Sequence, residues 1–409
     1  MKKSNQLTPP AIVLALALAS VCSAHRAQAG DWPHWLGPNG DNIAPAGEQF
    51  SADLSKWKVA WKANVGRGYS AVVVAGDRAF TVGHDEKAQE TVYCFDANTG
   101  EAVWKHAYDA QLLPNMHPGG PNATPTVFGS KVFTLSKDGQ AYCLDAAKGS
   151  KIWQANLVEA MGIKLPRWGF ASSAVIDDGR VIFTAGKVAA FDLATGKTLW
   201  TSKNQYFEGY TTAVVFEREG EKFIAALDGK GLSILTGKDG EEIARHPFKA
   251  MFDMVASTPI VLAKGNRVFI SGNTSSEMVG FDGQKLTSIW ASTDIKNAMN
   301  NSVVLGGVLY GIDGKQGSPS RLVAVNVEDG KVKWAQADFA YGTTIGIGKT
   351  VLAFTENGEL ISIKAASDGY SEISRRQVLS KTCWTTPVYG NQRIYVRNDR
   401  GELICLAST

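Results

Sequence analysis

The sequence predicts an all-β fold, an eight-bladed β-propeller of four-stranded antiparallel blades that is closed by strands from the two chain ends. Three observations lead to this prediction. A motif that joins a tight turn to a tryptophan recurs along the chain, the repeats end 39 to 49 residues apart, and each repeat contains four short strand patterns. Strand-built repeats of this length are typical of propeller blades rather than of helical solenoids.

The recurring motif is illustrated by "FDANTGEAVW" at residues 95–104, in which an aspartate precedes a tryptophan by eight positions. The aspartate can accept hydrogen bonds from the backbone of its own turn, and glycine tolerates the positive φ that tight turns require. The indole fits the gap between neighbouring blades, where it buries about 200 Å². We therefore predict six docking tryptophans, namely Trp61, Trp104, Trp153, Trp200, Trp290 and Trp334. The repeats of blades four and seven end in Ala244 and Ile373 instead.

The strand patterns and the chain ends predict how the ring closes. After each tryptophan come a polar loop and three short runs of β-branched and aromatic residues, such as 124–129, 131–136 and 141–145. Runs of this kind, punctuated by glycine and aspartate, predict antiparallel strands. Residues 401–409 contain the third strand of an eighth repeat, but no tryptophan strand follows it. Residues 57–65 contain a tryptophan strand, but the three strands that normally precede it are missing. Together they complete blade eight and leave no open edge between blades.

The N-terminus has the pattern of a secretory signal. A basic start, an apolar core at 11–20 and the triplet Ala27-Gln28-Ala29 precede Gly30. We predict a signal peptide at 1–29, an N-terminal arm at 30–56, a propeller at 57–409, and export to the periplasm or the extracellular space. A lipid anchor on Cys22 is the alternative. Lipid-anchor signals prefer a small residue before the cysteine, and here that residue is Val21.

The charge balance gives no reason to expect nucleic acid or an anionic membrane as a partner. The 42 Lys and Arg against 39 Asp and Glu give +3, and removal of Lys2, Lys3 and Arg26 leaves 39 − 39 = 0. No stretch after the signal is long and apolar enough to predict a membrane-spanning helix.

Four cysteines follow the signal, and we predict that all four are free thiols. Cys94, Cys143 and Cys405 occupy the same repeat position, where other repeats have alanine or glycine. Cysteine serves there as a small apolar residue. Equivalent positions on different blades exceed the separation of about 7 Å between Cα atoms that a disulfide allows. Cys383 is the fourth.

The repeat unit small-x-Asp-x-x-x-Gly-x-x-x-Trp resembles the tryptophan-docking motif of the PQQ-like propeller family, named after pyrroloquinoline quinone (PQQ). The resemblance extends over 57–409, and the lead-in "DWPHWLGPNGDNIAP" at 31–45 is also similar. One branch of that family contains quinoprotein alcohol dehydrogenases, which bind the quinone and Ca²⁺. Another branch contains non-enzymatic propellers, such as the scaffold lipoprotein of the outer-membrane β-barrel assembly machinery. The fold alone does not choose between them.

The dehydrogenase branch uses an adjacent Cys-Cys pair at its quinone, and this sequence has none. It also lacks the C-x-x-C-H motif of a haem site. As the alternative, the resemblance implies Glu208, Asn300 and Asn301 as ligands of the cofactor and its Ca²⁺, with Asp338 as the base. We expect no cofactor and no metal, and keep a PQQ- and Ca²⁺-dependent alcohol or sugar dehydrogenase as the alternative.

The loops that lead into the first strand of each blade, here called the mouth loops, are rich in aromatic residues, Arg, His and Asn. Loops on a rigid scaffold often carry function, and aromatic and Arg side chains are frequent interface anchors. We predict a non-catalytic binding or scaffold protein whose partner is a protein or a cell-envelope component. The alternative is that Tyr69, Phe170, Tyr210 and Tyr341 only fill the axial channel. The candidate binding residues are Arg67, Tyr69, Asn115, His117, Arg167, Trp168, Tyr210, Asp253, Tyr341 and Trp384.

Overall fold

The computed structural model describes residues 30–205 and 209–408, and it confirms the predicted eight-bladed propeller. Eight separate sheets each contain four antiparallel strands. The predicted signal peptide, Cys22 and Glu208 lie outside the described residues. Strand β1 (Trp57–Asn64) belongs to blade eight, and the other blades follow in chain order.

The first four blades are built from strands β2 to β17. Blade one contains β2 (Val73–Ala75), β3 (Arg78–His84), β4 (Gln89–Asp96) and β5 (Ala102–Asp109). Blade two contains β6 (Thr126–Phe128), β7 (Lys131–Leu135), β8 (Gln140–Asp145) and β9 (Lys151–Asn156). Blade three contains β10 (Val175–Asp177), β11 (Arg180–Thr184), β12 (Val188–Asp192) and β13 (Thr198–Thr201). Blade four contains β14 (Val214–Arg218), β15 (Glu221–Asp228), β16 (Gly231–Thr236) and β17 (Glu242–Pro247).

The last four blades are built from strands β18 to β32 and β1. Blade five contains β18 (Ile260–Leu262), β19 (Arg267–Ser271), β20 (Ser276–Phe281) and β21 (Leu286–Ser292). Blade six contains β22 (Val303–Leu305), β23 (Val308–Asp313), β24 (Ser320–Asn326) and β25 (Val332–Phe339). Blade seven contains β26 (Gly342–Ile347), β27 (Thr350–Thr355), β28 (Glu359–Lys364) and β29 (Glu372–Gln377). Blade eight contains β30 (Val388–Gly390), β31 (Arg393–Arg397), β32 (Glu402–Ser408) and β1.

Blade eight confirms the predicted closure. Strand β1 pairs antiparallel with β32, from Trp57 opposite Ser408 to Asn64 opposite Glu402. The fully buried Arg397 reinforces this junction, because its guanidinium donates to the carbonyl oxygens of Val82 (2.7 Å) and Gly66 (3.0 Å) in and before blade one. The two chain ends are therefore joined through both a strand ladder and a buried cation.

The described residues contain little helix. A single α-helix, α1 (Leu157–Met161), follows blade two, and it was not predicted from the sequence. Its amide groups are capped by the side chain of Asn156, and it ends at Gly162 in the left-handed conformation (φ 61°). Three short 3₁₀ turns cover Leu54–Lys56, Met251–Asp253 and Ala263–Gly265. The helix is too short to show a helical period in the sequence.

The docking tryptophans bind the turn of the next blade, as the repeat predicts. The indole N–H of Trp153 donates to the carbonyl oxygen of Leu193 (3.1 Å). Its ring lies over Gly196, where an added Cβ would come within 2.6 Å of the indole. The glycine is therefore required both for its positive φ of 71° and for the close approach of the ring. Equivalent indole bonds join Trp61 to Ala97, Trp104 to Ala146, Trp290 to Val327 and Trp334 to Ala366.

Trp200 is the exception among the six. Its ring contacts Gly240 in blade four, but its indole N–H has no hydrogen-bond partner in the described chain. The equivalent carbonyl, that of Gly237, instead accepts a hydrogen bond from Arg180. At this seam, the carbonyl oxygen that accepts the indole hydrogen bond elsewhere accepts one from an arginine instead.

The seam between blades four and five lacks a tryptophan because Ala244 replaces it. An aromatic cluster fills the space, in which the rings of Phe216 and Phe223 lie 6.2 and 5.2 Å from that of Phe281. The guanidinium of Arg218 covers Phe281 at 6.0 Å. This seam is therefore packed by different residues rather than left open.

The N-terminal arm crosses the end of the axial channel that is opposite to the mouth loops. Trp32 exchanges backbone hydrogen bonds with Val74 at the end of β2, and Ala44 donates to Gly346 of β26 (2.8 Å). The indole of Trp35 reaches Thr258 beside β18 (3.0 Å). The arm thus links blades one, five and seven across the ring. The four cysteines Cys94, Cys143, Cys383 and Cys405 are buried free thiols, as predicted.

Candidate functional site

A ring of buried hydroxyl groups lies where the mouth loops meet the first strands. The amide of Ala71 donates to Oγ1 of Thr124 (3.1 Å), and that of Thr124 donates to Oγ of Ser173 (3.0 Å), so each bond joins neighbouring blades. The sequence analysis did not single out these residues, although one Ser or Thr precedes the apolar run in every mouth loop. The eight positions are Ser70, Thr124, Ser173, Thr212, Thr258, Ser302, Thr344 and Thr386, and all are buried.

Three predicted binding residues meet on the side of the mouth formed by blades one, two and eight. The rings of Tyr69 and Trp384 stack at 5.6 Å, and the ring of His117 contacts Tyr69 edge-on at 5.5 Å. The indole N–H of Trp384 donates to Glu356 (3.2 Å), which fixes the orientation of the stack. Nearby, Arg67 is held by Glu86 (2.9 Å) and Asp399 (3.3 Å).

A second group of predicted residues meets between blades two and four. The guanidinium of Arg167 lies 5.4 Å from the ring of Trp168, which in turn contacts the ring of Tyr210 at 5.4 Å. Asn115 reaches across from the preceding loop and donates to the backbone carbonyl of Arg167 (3.2 Å). The prediction that these residues bind a partner is untested, but the structure does bring all four together.

Tyr341 and Asp253 lie apart from these two groups. Tyr341 is buried, its hydroxyl accepts from the amide of Met299 (3.2 Å), and burial raises its pKa to about 12. Asp253 is half-buried in a 3₁₀ turn and has a positive φ of 51°. Tyr341 therefore serves as a support for the loop that carries Met299.

Two buried ionisable side chains near the mouth, Glu90 and Lys137, were missed by the sequence analysis. Burial raises the pKa of Glu90 to about 8 and lowers that of Lys137 to about 8. Glu90 accepts hydrogen bonds from the hydroxyl of Tyr108 (3.0 Å) and from the amide of Lys137 (3.3 Å). Burial, followed by the charge of Lys137, lowers the pKa of His117 to about 4, so its imidazole is neutral at pH 7. Nothing in the sequence around Lys137 indicates that it is buried, because a lysine in a turn is usually exposed to solvent.

The residues proposed for the quinone and calcium alternative do not form a ligand set in the described chain. Oδ1 of Asn301 already accepts from the amide of Thr258 (2.8 Å). The amide group of Asn300 donates to two backbone carbonyls, although its own Oδ1 has no partner among the described residues. Asp338 is exposed on β25, the outermost strand of blade six, and Glu208 lies outside the described residues. Within 30–205 and 209–408, no group of three or more His, Cys, Asp or Glu side chains is placed to hold a metal ion.

Five large apolar side chains are exposed on the mouth loops of blades two, three, five and six. Met116 is 92% exposed and Phe252 is 75% exposed, and both have a positive φ, of 57° and 60°. Backbone of this kind is costly for residues other than glycine and is frequent at functional sites. We call this set the apolar arc: Met116, Leu165, Met251, Phe252 and Met299.

Comparison with known proteins identifies the family. The family model described as outer membrane protein assembly factor BamB matches residues 54–117 and 88–336, which together exceed half of the chain. The chain belongs to this family. Within the BamB family, the chain is 25% identical over 370 residues to outer membrane protein assembly factor BamB of Shewanella oneidensis, covering 85% of this chain and 88% of that protein.

The chain is also similar to dehydrogenases, in sequence over part of its length and in fold. The chain is 26% identical over 189 residues to a polyvinylalcohol dehydrogenase of a Pseudomonas species, covering 41% of this chain and only 28% of that protein. The solved structure of BamB from Moraxella catarrhalis superposes with a TM-score of 0.64 at 15% identity, covering 86% of this chain and 99% of that one. The quinohemoprotein alcohol dehydrogenase of Comamonas testosteroni superposes with a TM-score of 0.70 at 14% identity, covering 94% and 81%. At these identities the structural matches show the fold alone.

No helix within the described parts of the chain has the length and apolarity needed to cross a membrane.

Proposed function

We propose that the protein is an exported, non-catalytic scaffold in outer membrane protein assembly, and that it binds a partner polypeptide through the apolar arc. The observation that carries this proposal is the exposure of large apolar side chains on four of the mouth loops, those of blades two, three, five and six. The side chains of Met116 and Phe252 bury little of their surface against the rest of the chain, so they add little to the free energy of unfolding. Exposed apolar groups that are clustered on one face mark interaction surfaces.

The chemistry of the arc suits a polypeptide. Three of its five members are methionines, whose flexible and polarizable side chains adapt to different apolar surfaces. Arg167 is exposed on the mouth loop of blade three, two residues after Leu165, and supplies a charged group beside the arc. The arc is carried by four loops on a rigid ring, which gives a broad binding face rather than a narrow pocket.

Family membership supports the assembly role. The chain matches the BamB family over more than half of its length and resembles the Shewanella protein along most of both chains. The absence of a Cys-Cys pair from the sequence supports a binding role over quinone chemistry.

The quinoprotein alternative is favoured by one observation. Oδ1 of Asn300 is buried and has no hydrogen-bond partner in the described chain. A buried oxygen of this kind could accept a bond from a ligand. Oδ1 of Asn301 already accepts from the amide of Thr258, and Asp338 lies on an outer strand. The described residues therefore do not complete a quinone and calcium site. A PQQ- and Ca²⁺-dependent alcohol or sugar dehydrogenase therefore remains the second candidate.

The test uses a deletion of the gene in the source bacterium. We expect isolated outer membranes of the deletion strain to contain less β-barrel protein, and the wild-type gene to restore the amount. The double substitution M116S/F252S should fail to restore it. The matched control is V103S/L199S, which removes exposed apolar side chains (42% and 51% exposed) from outer strands instead of mouth loops.

Each outcome bears on the proposal. Full restoration by M116S/F252S at wild-type protein levels would exclude the arc as the partner site. Unchanged β-barrel content in the deletion strain would exclude the assembly role. Stoichiometric PQQ binding by the purified protein, together with alcohol-dependent dye reduction, would establish the second candidate in its place.

A further inference from the structure

A cavity of about 700 Å³ lies at the end of the axial channel that is opposite to the mouth loops. It is bounded by arm residues 31–40 and by the first strands of blades one to four, close to where those strands end. This volume falls within the range of about 300–1,000 Å³ that is usual for small-molecule sites. The cavity shares no residue with the apolar arc.

The arm holds the roof of this cavity in place. The carbonyl oxygen of Pro33 accepts from the amide of Val127 on β6 (2.8 Å), and the indole of Trp35 donates to Thr258 (3.0 Å). These bonds fix the arm to blades two and five, on both sides of the opening. The walls are therefore preformed and need no rearrangement before a ligand binds.

One side of the cavity is apolar and aromatic. Phe128, at the end of β6, is 37% exposed. The half-buried side chains of Trp35, Val175 and Val214 also line the cavity. The other exposed large apolar residues of the described chain lie on mouth loops or outer strands, so Phe128 is the one such residue among those described that lines this cavity.

The polar lining is net negative. Asp31, Asp177 and Glu217 supply three carboxylates and Lys222 supplies one ammonium group, which leaves 3 − 1 = 2 negative charges. The ammonium group of Lys222 is already paired with Asp177 (2.5 Å). Glu217 is exposed and forms no ion pair with any described residue. His34 adds no charge at pH 7, because burial lowers its pKa.

We propose that this cavity binds an organic cation, an ammonium group carried on an aromatic or aliphatic body. The exposed carboxylate of Glu217 attracts the cation, and the rings of Trp35 and Phe128 contact both the cation and its apolar body. The same chemistry is present in a free amine and in the basic side chain of a peptide. The site is distinct from the one proposed for the scaffold role, because no residue of the apolar arc lines it, although Thr212 and Thr258 at the ends of two mouth loops do.

Isothermal titration calorimetry with two probes of similar size and opposite charge tests the proposal. Phenethylamine and phenylacetate share the same ring and differ in charge. We expect phenethylamine to bind one-to-one and phenylacetate to bind at least tenfold more weakly. The substitution E217Q should weaken the amine about three- to fivefold, as expected for a partly exposed charge pair. V175W should abolish binding by filling the cavity.

The matched control is E221Q. Glu221 lies on the next strand of the same hairpin and is exposed, but it does not line the cavity, so the same charge change there should leave binding unaltered. Equal affinities for the two probes, no binding of phenethylamine, or equal weakening by E221Q would overturn the proposal. N-acetyl-Phe-Lys-amide separates the two sources of the cation: tighter binding than phenethylamine assigns the site to a peptide side chain, and weaker binding assigns it to a free amine. Circular dichroism confirms that each variant is folded.

Discussion

The replacement of a docking tryptophan by alanine tests how the blades are held together, and Trp153 offers the most complete example. Its side chain is only 7% exposed, its ring lies 5.9 Å from that of Phe133, and its indole bonds to Leu193. The substitution W153A would remove the ring from the seam between blades two and three. It would also leave the carbonyl of Leu193 without its donor.

The expected cost follows from these contacts. Truncation of a buried tryptophan to alanine lowers the free energy of unfolding by about 3–5 kcal/mol, through lost burial and the cavity that remains. The lost hydrogen bond accounts for about 1 kcal/mol of this. W153F keeps part of the ring but loses the indole donor, so it should cost less. W200A should also cost less than W153A, because Trp200 is half-buried and its indole has no partner in the described chain.

The assay is urea denaturation followed by circular dichroism, with the midpoint and slope compared among W153A, W153F, W200A and the wild type. W168A serves as the control, because Trp168 is half-buried on a mouth loop and lies in no seam. A cost for W153A no larger than that for W168A would refute the idea that interblade indoles hold the ring together. A cost for W200A equal to that for W153A would contradict the expectation that deeper burial and the indole hydrogen bond both add to the cost.

Three further predictions concern closure, protonation and local opening. Deletion of residues 401–409 should abolish cooperative unfolding, because β32 pairs with both β1 and β31; a truncated protein that melts like the full chain would contradict this. The contribution of Glu90 to the free energy of unfolding should fall as the pH rises from about 5 to 8, because burial raises its pKa to about 8 and ionisation then places a charge in a buried site. Urea midpoints of the wild type and E90Q at both pH values measure this contribution, and the wild type should lose stability relative to E90Q as the pH rises. Hydrogen exchange should show blade four opening earliest, because both of its seams lack the usual indole bond, and slow exchange there would show that Arg180 and the Phe281 cluster compensate.

Much of the fold was predictable because its determinants are local. An aspartate such as Asp96 accepts from the amides of Asn98 (2.9 Å) and Thr99 (3.0 Å) two and three residues later, so the turn is set by a short stretch of chain. The tryptophan spacing follows from the strand that leaves that turn. Blade number and closure by β1 and β32 then follow from counting repeats.

The candidate site was predictable only in part. Composition indicated that the mouth loops carry aromatic and Arg residues, and the structure places Tyr69, His117 and Trp384 in contact. Which loops touch depends on the order of the blades around the ring, which a single repeat does not reveal. The exposure of Met116 and Phe252 was also not predictable, since other apolar residues of the mouth loops, such as Phe170 and Val255, are buried.

The sequence by itself determined the repeat, the strands and the docking tryptophans, because each is specified by a short local motif. The joining of the chain ends followed from counting the repeats, since the incomplete first and last units complement each other. Only the tertiary structure showed that the amide of Lys137 donates to the buried Glu90. It also showed that Arg180, and not the indole of Trp200, donates to the carbonyl oxygen of Gly237. It also decided that the arm encloses a cavity against blades one to four. These contacts join residues separated by about forty to two hundred positions, and they form only when closure of the ring brings neighbouring blades and the arm together.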